Sequence, residues 1–283
     1  VRQICEANNT LPNVSVRTNT LKTTRDQLIE TLEQNEIKAV AGSLAPEAIV
    51  IEKGTVQQTE GFREGLFTIQ DESSMLAAHA LDVKEGMDVL DACAAPGGKS
   101  THIAQLMKNS GRITALDIHT HKIKLIEDQA KRLGISNIDA VNLDSRKARE
   151  KFGERKFDRI LVDAPCSGFG VIRRKPDIKW SKTKEDVARL ADIQEDILVS
   201  VAPLLKPGGK MVYSTCTIEK EENERVARSF LENNTRFSLD FSLADKLPMD
   251  LGGEAESGMI QILPHTAGTD GFFIAAFKKD GVG

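Results

Sequence analysis

An α/β protein on a mostly parallel sheet, with a smaller α+β unit at its N-terminus, is the fold class this sequence predicts. Three observations predict it. From Ser73 onward, short apolar runs alternate with amphipathic helical patterns, the signature of a parallel sheet joined by right-handed crossovers. The last two apolar runs, 259–263 and 272–277, have no helical pattern between them and read as an antiparallel closing hairpin. Finally, 283 residues make roughly two domains, or one large one, at about 150 residues each. With 28% charged and 40% hydrophobic residues, a disordered, collagen-like or coiled-coil chain is excluded.

The N-terminal stretch reads separately. Residues 14–17 alternate as a short strand. Thr24 can cap a helix over 25–34 that carries Leu28, Ile29 and Leu32 on one face, and 48–51 form a second strand closed by Gly54. This unit has too few apolar residues for a core of its own and is expected to pack on the larger unit C-terminal to it. It ends near residues 61–65, which divides the chain into 1–65 and 66–283. A helix is read at 72–82, then strands at 87–92, 112–117, 138–143, 158–163 and 209–214. Helices at 98–108, 120–133, 185–204 and 220–233 lie between or after them. Residues 240–257 read as loop, and 219–224 as an acidic first helical turn.

Thirty-eight basic residues against 42 acidic leave a net charge of −4, so a nucleic-acid partner has to be held by a local basic patch. Cys5, Cys93, Cys166 and Cys216 form no CxxC pair, so neither structural zinc nor a disulfide framework is expected. His79, His102, His119, His121 and His265 show no ligand spacing; no metal is expected and no chemistry is assigned to them. Neither a membrane-spanning run nor a signal-peptide core is visible, and the chain reads as cytoplasmic. It opens on Val1 without an initiator Met, which reads as a piece of something longer.

The segment DVLDACAAPGGKS (88–100) is a buried strand, a small-residue turn and a helix start, placed where open α/β sheets hold ligands. GKS at 98–100 imitates a P-loop, but the leading Gly would stand at 93, which is Cys93, and no GxGxxG is present. A third reading fits better. Asp117 ends the next strand, 19 residues after Gly98, where an acid accepts from ribose hydroxyls; Asp144 follows the third strand, placed to meet an adenine amino group; Asp163 ends the fourth. Acids at successive strand ends without a phosphate motif suit a nucleoside that carries a cation and no phosphate, which is S-adenosylmethionine. The competing reading of each acid alone is a helix cap.

DAPCSG (163–168) follows the fourth strand and STCT (214–217) the fifth, so parallel pairing brings Cys166 and Cys216 to one sheet edge. A lone Cys is more often a small buried hydrophobe, the reading kept for Cys5 and Cys93. With DACAAPGGKS (91–100), LD (116–117), VRTNTLK (16–22) and GTDGFFIAAFKK (268–279), these motifs resemble the RNA 5-methylcytosine methyltransferases of the Nol1/Nop2/Sun family over nearly the whole chain. The resemblance is strongest to bacterial members that act on 16S ribosomal RNA and carry an N-terminal helical domain similar to the antiterminator NusB; none precedes Val1.

The resemblance implies a Rossmann-like, class I S-adenosylmethionine-dependent methyltransferase domain with a seven-stranded sheet. It implies cofactor contacts from Cys93, Ala94, Ala95, Pro96, Gly97, Gly98 and Lys99, with Asp117 at the ribose, Asp144 near the adenine, and Asp163 near the methionine end and the target base. Cys216 matches the family's nucleophile and Cys166 its second cysteine. NLDSR (142–146) departs from the family's GDAR-like motif but keeps the Asp. Cytosine C5 becomes nucleophilic once a thiolate adds at C6, which is why such chemistry needs a cysteine. Cys166 stands where it can assist release, and the base has to be unpaired or flipped out. RNA contact is expected from RRKPDIKWSKTK (173–184), a local +5, through Arg173, Arg174, Lys175 and Lys179, with Trp180 as a stacking surface. A solvated loop is the other reading of that stretch. The same chemistry on transfer RNA or large-subunit ribosomal RNA, and a non-catalytic RNA assembly factor, are the competing functions.

Overall fold

Two sheets divide the chain, and the computed structural model describes residues 2–248 and 257–281. The N-terminal unit runs α1 (Arg2–Asn8), β1 (Val14–Thr18), α2 (Arg25–Gln34), β2 (Lys38–Ala41), β3 (Ala48–Lys53), α3 (Glu60–Arg63) and β4 (Phe67–Ile69). Its antiparallel sheet has the order β2-β3-β1-β4. Thr24 closes a capping box with Gln27, so α2 begins where its sequence calls for it.

Contrary to the expectation, this unit has a core of its own: Val16, Leu28, Leu32, Ile37, Ile49, Val56 and Phe67 pack together, fully or nearly fully buried. Ile37, Val56 and Phe67 lie outside the elements read from sequence, which is why the apolar residues looked too few. The sheet also crosses the expected 65/66 division, because β4 pairs with β1 through Val16–Ile69 and Thr18–Phe67.

The larger unit comprises α4 (Glu72–Ala80), β5 (Asp88–Asp91), α5 (Gly98–Leu106), β6 (Arg112–Asp117), α6 (Thr120–Leu133), β7 (Ile138–Asn142), α7 (Ala148–Phe152), β8 (Phe157–Asp163), α8 (Ile178–Ser181), α9 (Lys184–Val201), β9 (Leu205–Thr215), α10 (Glu224–Asn233), β10 (Phe237–Leu239), α11 (Leu243–Lys246), β11 (Met259–Ile262), α12 (Pro264–Ala267) and β12 (Phe272–Lys279). Strand order is β10-β12-β9-β8-β5-β6-β7, with β11 paired to β12. The five strands from β9 to β7 are parallel, and β12 runs antiparallel to β9, β10 and β11.

Successive strand residues point to opposite faces. Val89, Leu161, Val212 and Ile274 pack with α4, α5 and α6, whereas Leu90, Ile160, Met211 and Phe277 pack with α9 and α10. All seven strands read from sequence are present. The eighth, β10, is three residues long and too short to show a period. One helical turn, α12, interrupts the closing hairpin, where no helix was expected. Within 240–257, read as loop, α11 forms; residues 249–256 lie outside the described residues. No described helix is long and apolar enough to cross a membrane.

Candidate active site

Parallel strands end on one edge, so Asp91, Asp117, Asp163 and Thr215 come out together. Asp91 is fully buried and accepts from Ser100 Oγ at 2.6 Å, which pins the start of α5; burial pushes its carboxyl up to about 7. Gly97 has φ +101°, and a Cβ there would meet the Ile126 backbone at 3.2 Å, so the bend requires glycine.

Around this edge lies a cleft of about 330 Å³, lined by Cys93, Ala95, Asp117, Asp144, Asp163, Cys166 and Cys216 among others. Ala94 turns away, into a small core with Ala115 and Ile126. Pro96, Gly97 and Gly98 follow in the bend, and Lys99 Nζ donates to Oδ2 of the cleft-lining Asp163 at 2.7 Å. Burial opposes the Lys99 charge, but Asp163 holds its pKa above the usual value. Ser214 Oγ donates to the other Asp163 oxygen at 2.9 Å. Asp117 Oδ1 accepts the His119 backbone N–H at 2.8 Å. Asp144 is gripped by the Arg146 guanidinium at 2.7 Å, which holds its carboxyl below the usual range.

The sulfurs of Cys166 and Cys216 are 3.4 Å apart. The two thiols share a hydrogen bond: with burial it raises the Cys166 thiol well above the ordinary value, while it lowers Cys216 against burial, with help from Lys99. Cys216 is thus the readier thiolate. Burial raises Cys93 as well, and it packs against the core beside the cleft; Cys5 is exposed on α1, not buried as expected.

Two expectations are corrected here. Arg173 and Arg174 do not face solvent ready for phosphate. Arg173 Nε lies 3.3 Å from Asp270 and its side chain is 5% exposed, while Arg174 bridges Asp270 at 2.7 Å and Asp71 at 2.8 Å. Acids from distant segments, the buried Asp270 and the partly buried Asp71, claim both charges, which a local charge count does not reveal. Lys175, Lys179 and Trp180 remain exposed, Trp180 at 88%. Residues 219–224 are not a helical turn either: α10 starts at Glu224, and Glu222 is fully buried.

Sequence reasoning also missed the junction between the two units. Arg17 is fully buried; its guanidinium donates to Gln105 at 2.8 Å, Thr101 at 2.9 Å, the Gly98 carbonyl at 2.6 Å, and Gln70. Asn19 Nδ2 donates to the Gly65 and Leu133 carbonyls, each at 2.8 Å. Beside them Glu47 Oε1 lies 2.9 Å from His79 Nε2 and 2.6 Å from His102 Nε2. These three groups are the one set among the described residues with the proximity of metal ligands. Arg17 already offsets the Glu47 charge, so the cluster is compensated from within. The only hint in the sequence was VRTNTLK, noted for its resemblance alone.

The family model "16S rRNA methyltransferase RsmB/F" matches residues 78–278, and "Methyltr_RsmF/B-like, ferredoxin-like domain" matches residues 1–57. The chain is 51% identical over 279 residues to "Probable ribosomal RNA small subunit methyltransferase B" of Bacillus subtilis (strain 168), across 99% of this chain and 62% of that protein. It is 38% identical over 278 residues to "Ribosomal RNA small subunit methyltransferase B" of Enterobacter sp. (strain 638), with 98% and 62% covered. The chain therefore spans about 62% of the length of these curated relatives. Among solved structures, NSun6 from Pyrococcus horikoshii with SFG superposes with TM-score 0.87 at 25% identity, covering 98% of this chain and 94% of that one. A methyltransferase homolog protein from Pyrococcus horikoshii gives TM-score 0.82 at 32% identity, covering 98% and 90%.

Proposed function

The chain belongs to the 16S rRNA methyltransferase RsmB/F family, and from that premise we propose that it methylates C5 of a cytosine in RNA, 16S ribosomal RNA first, through a covalent cysteine–C6 adduct. The observation that carries the reading is the pair of sulfurs 3.4 Å apart at the cleft, the more acidic one beside the Lys99–Asp163 pair. A non-catalytic assembly factor has no use for two thiols so arranged.

S-adenosylmethionine is the cofactor this reading requires, and the donor set fits it. Asp117 offers a carboxylate to ribose hydroxyls, Asp144 lies further along the cleft, and Asp163 and its partner Lys99 stand at the thiol end. When bound, it supplies an electrophilic methyl group on a sulfonium. Cys216 adds to C6 of the base and loads electron density onto C5. Asp163, held by Lys99 and Ser214, hydrogen-bonds the N3/N4 edge as charge develops. Cys166, the protonated partner, stands against the Cys216 sulfur where the adduct has to be released.

Asp117→Ala is expected to weaken S-adenosylmethionine binding by about 1.5–3 kcal/mol, the worth of charge-assisted hydrogen bonds. Calorimetry showing unchanged affinity removes Asp117 from the site, and tight ATP binding in its place overturns the cofactor assignment.

For RNA, we assign the grip to the exposed part of 173–184, with the N-terminal unit, expected at 1–65, as a small RNA-binding subdomain beside the catalytic domain. Replacing Lys175 and Lys179 together by Ala should weaken RNA binding and flatten its salt dependence by about 0.7 per lost phosphate contact, leaving cofactor affinity as it was. An unchanged slope returns the segment to a solvated loop. Bisulfite sequencing of ribosomal and transfer RNA from a deletion strain identifies the substrate.

A further inference from the structure

Cys166 and Cys216 stand on separate loops, so something has to set their separation. Cys166 is bracketed by Pro165 and Ser167. The Pro165 carbonyl accepts from Gln194 Nε2 at 2.9 Å, the Ser167 backbone N–H donates to Glu222 Oε2 at 2.8 Å, and Gln194 Nε2 donates to that same oxygen at 3.0 Å. Cys216 is bracketed by Thr215 and Thr217. Thr215 Oγ1 donates to Asn223 Oδ1 at 2.5 Å, and Asn223 Nδ2 donates to the Thr217 carbonyl at 3.0 Å. The hydroxyls of Ser167 and Thr217 meet at 2.8 Å between the loops. Two consecutive buried residues therefore hold the flanks of both thiols.

Glu222 is the unusual member. It is fully buried, no Lys or Arg lies within ion-pair distance among the described residues, and its Oε1 has no hydrogen-bond partner there. A buried carboxylate without a counter-charge is costly. A glutamine would accept the same two hydrogen bonds without the charge, so the charge itself needs a use, and the thiol beside it is Cys166.

We infer that Glu222 and Asn223 are the positioning pair of this site: Asn223 holds the Cys216 loop, while Glu222 holds the Cys166 loop and keeps Cys166 the protonated thiol of the two. The inference rests on the assignment of Cys216 as nucleophile. The charged and titratable groups facing Cys166 are Cys216 and Glu222 from the β9–α10 loop, Asp163 from the end of β8, and Tyr213 from β9; Lys99 acts from α5 through Asp163 and Cys216. Of these, Glu222 is the one whose carboxylate bonds the backbone next to Cys166.

The test is the pH profile of iodoacetamide alkylation at each thiol, read peptide by peptide in the free full chain. It needs neither RNA nor turnover. In the parent protein Cys216 should react at lower pH than Cys166. Glu222→Gln keeps the hydrogen bonds and removes the charge, and should move the Cys166 profile down by about one pH unit. Gln194→Leu strips one of the two donors from that charge, leaving the Ser167 N–H, and should move it up. Asn223→Ala lets the sulfurs part, so the two profiles should converge. A Cys166 profile unmoved in Glu222→Gln and Gln194→Leu overturns the inference. If Glu222→Gln does not fold, the Gln194→Leu direction decides alone. If the shifts occur but the parent protein methylates no RNA, the methyltransferase reading fails and the positioning pair stands.

Discussion

Cys216→Ala is expected to abolish turnover and any RNA adduct, whereas Cys166→Ala should still attack, transfer the methyl group and stall with RNA attached through sulfur. The first loss should be roughly a millionfold, the scale on which removing a catalytic nucleophile acts. Both variants keep the Asp163–Lys99 pair and the Asp117 carboxylate, so S-adenosylmethionine binding should persist in each. The asymmetry follows from the sulfur pair: Cys216 is held toward the thiolate by the hydrogen bond that keeps Cys166 protonated. Lost stability does not imitate it, since an unfolded protein forms neither product nor adduct. A denaturing gel after incubation with substrate RNA and S-adenosylmethionine, read for a slow band that thiols do not reduce, separates the variants once parental turnover on that RNA is shown. An adduct in Cys216→Ala and none in Cys166→Ala reverses the roles.

The second large effect is on stability. Arg17→Ala removes a fully buried guanidinium that bonds four groups and offsets Glu47. Burial lowers Arg17 to about 9, so it is still charged at neutral pH. Its loss strands Glu47 beside imidazoles, one of which, His102, burial lowers to about 4 and therefore keeps neutral. Stripping the buried donor from four acceptors at once costs about 3–5 kcal/mol in total, a single unsatisfied buried group being worth roughly 1–3 kcal/mol. Denaturant unfolding measures it; a change below 1 kcal/mol, on the order of one ordinary hydrogen bond, removes Arg17 from the junction. The same junction should be acid-sensitive. His102 binds its proton more weakly folded than unfolded, so its share of the stability falls as pH drops from about 6.5 to about 4, and Glu47, whose carboxyl, against burial, the imidazoles hold below the usual range, carries the loss to lower pH. His102→Asn should flatten that limb.

What was legible in the sequence was periodic or local. The crossover helices, the parallel strands and the acids at their ends follow from spacing alone, and the Thr24 cap is a four-residue signal. What escaped depends on partners far along the chain. Arg174 reads as a surface charge until Asp71 and Asp270 are brought to it, 103 and 96 residues away. Glu222 looked like one acid in a charged turn until Ser167 and Gln194 claimed it. His79 and His102 have no spacing to notice, because the residue they meet is Glu47, beside the N-terminal sheet. Short elements such as β2 and β10 were lost for a simpler reason: four and three residues carry no period.

The place of β12 has a consequence for synthesis. That strand is among the last described segments of the chain, yet it sits inside the sheet, with β9 on one side and β10 and β11 on the other. While the ribosome is still making residues beyond α10, β9 presents an open hydrogen-bonding edge bearing Met211, Val212 and Tyr213, and nothing yet covers it. Asp270, which pairs with Arg174, is also missing until then. Nascent chains released before β12 emerges should therefore be sticky, and pairing of β12 with β9 is the step that closes this edge.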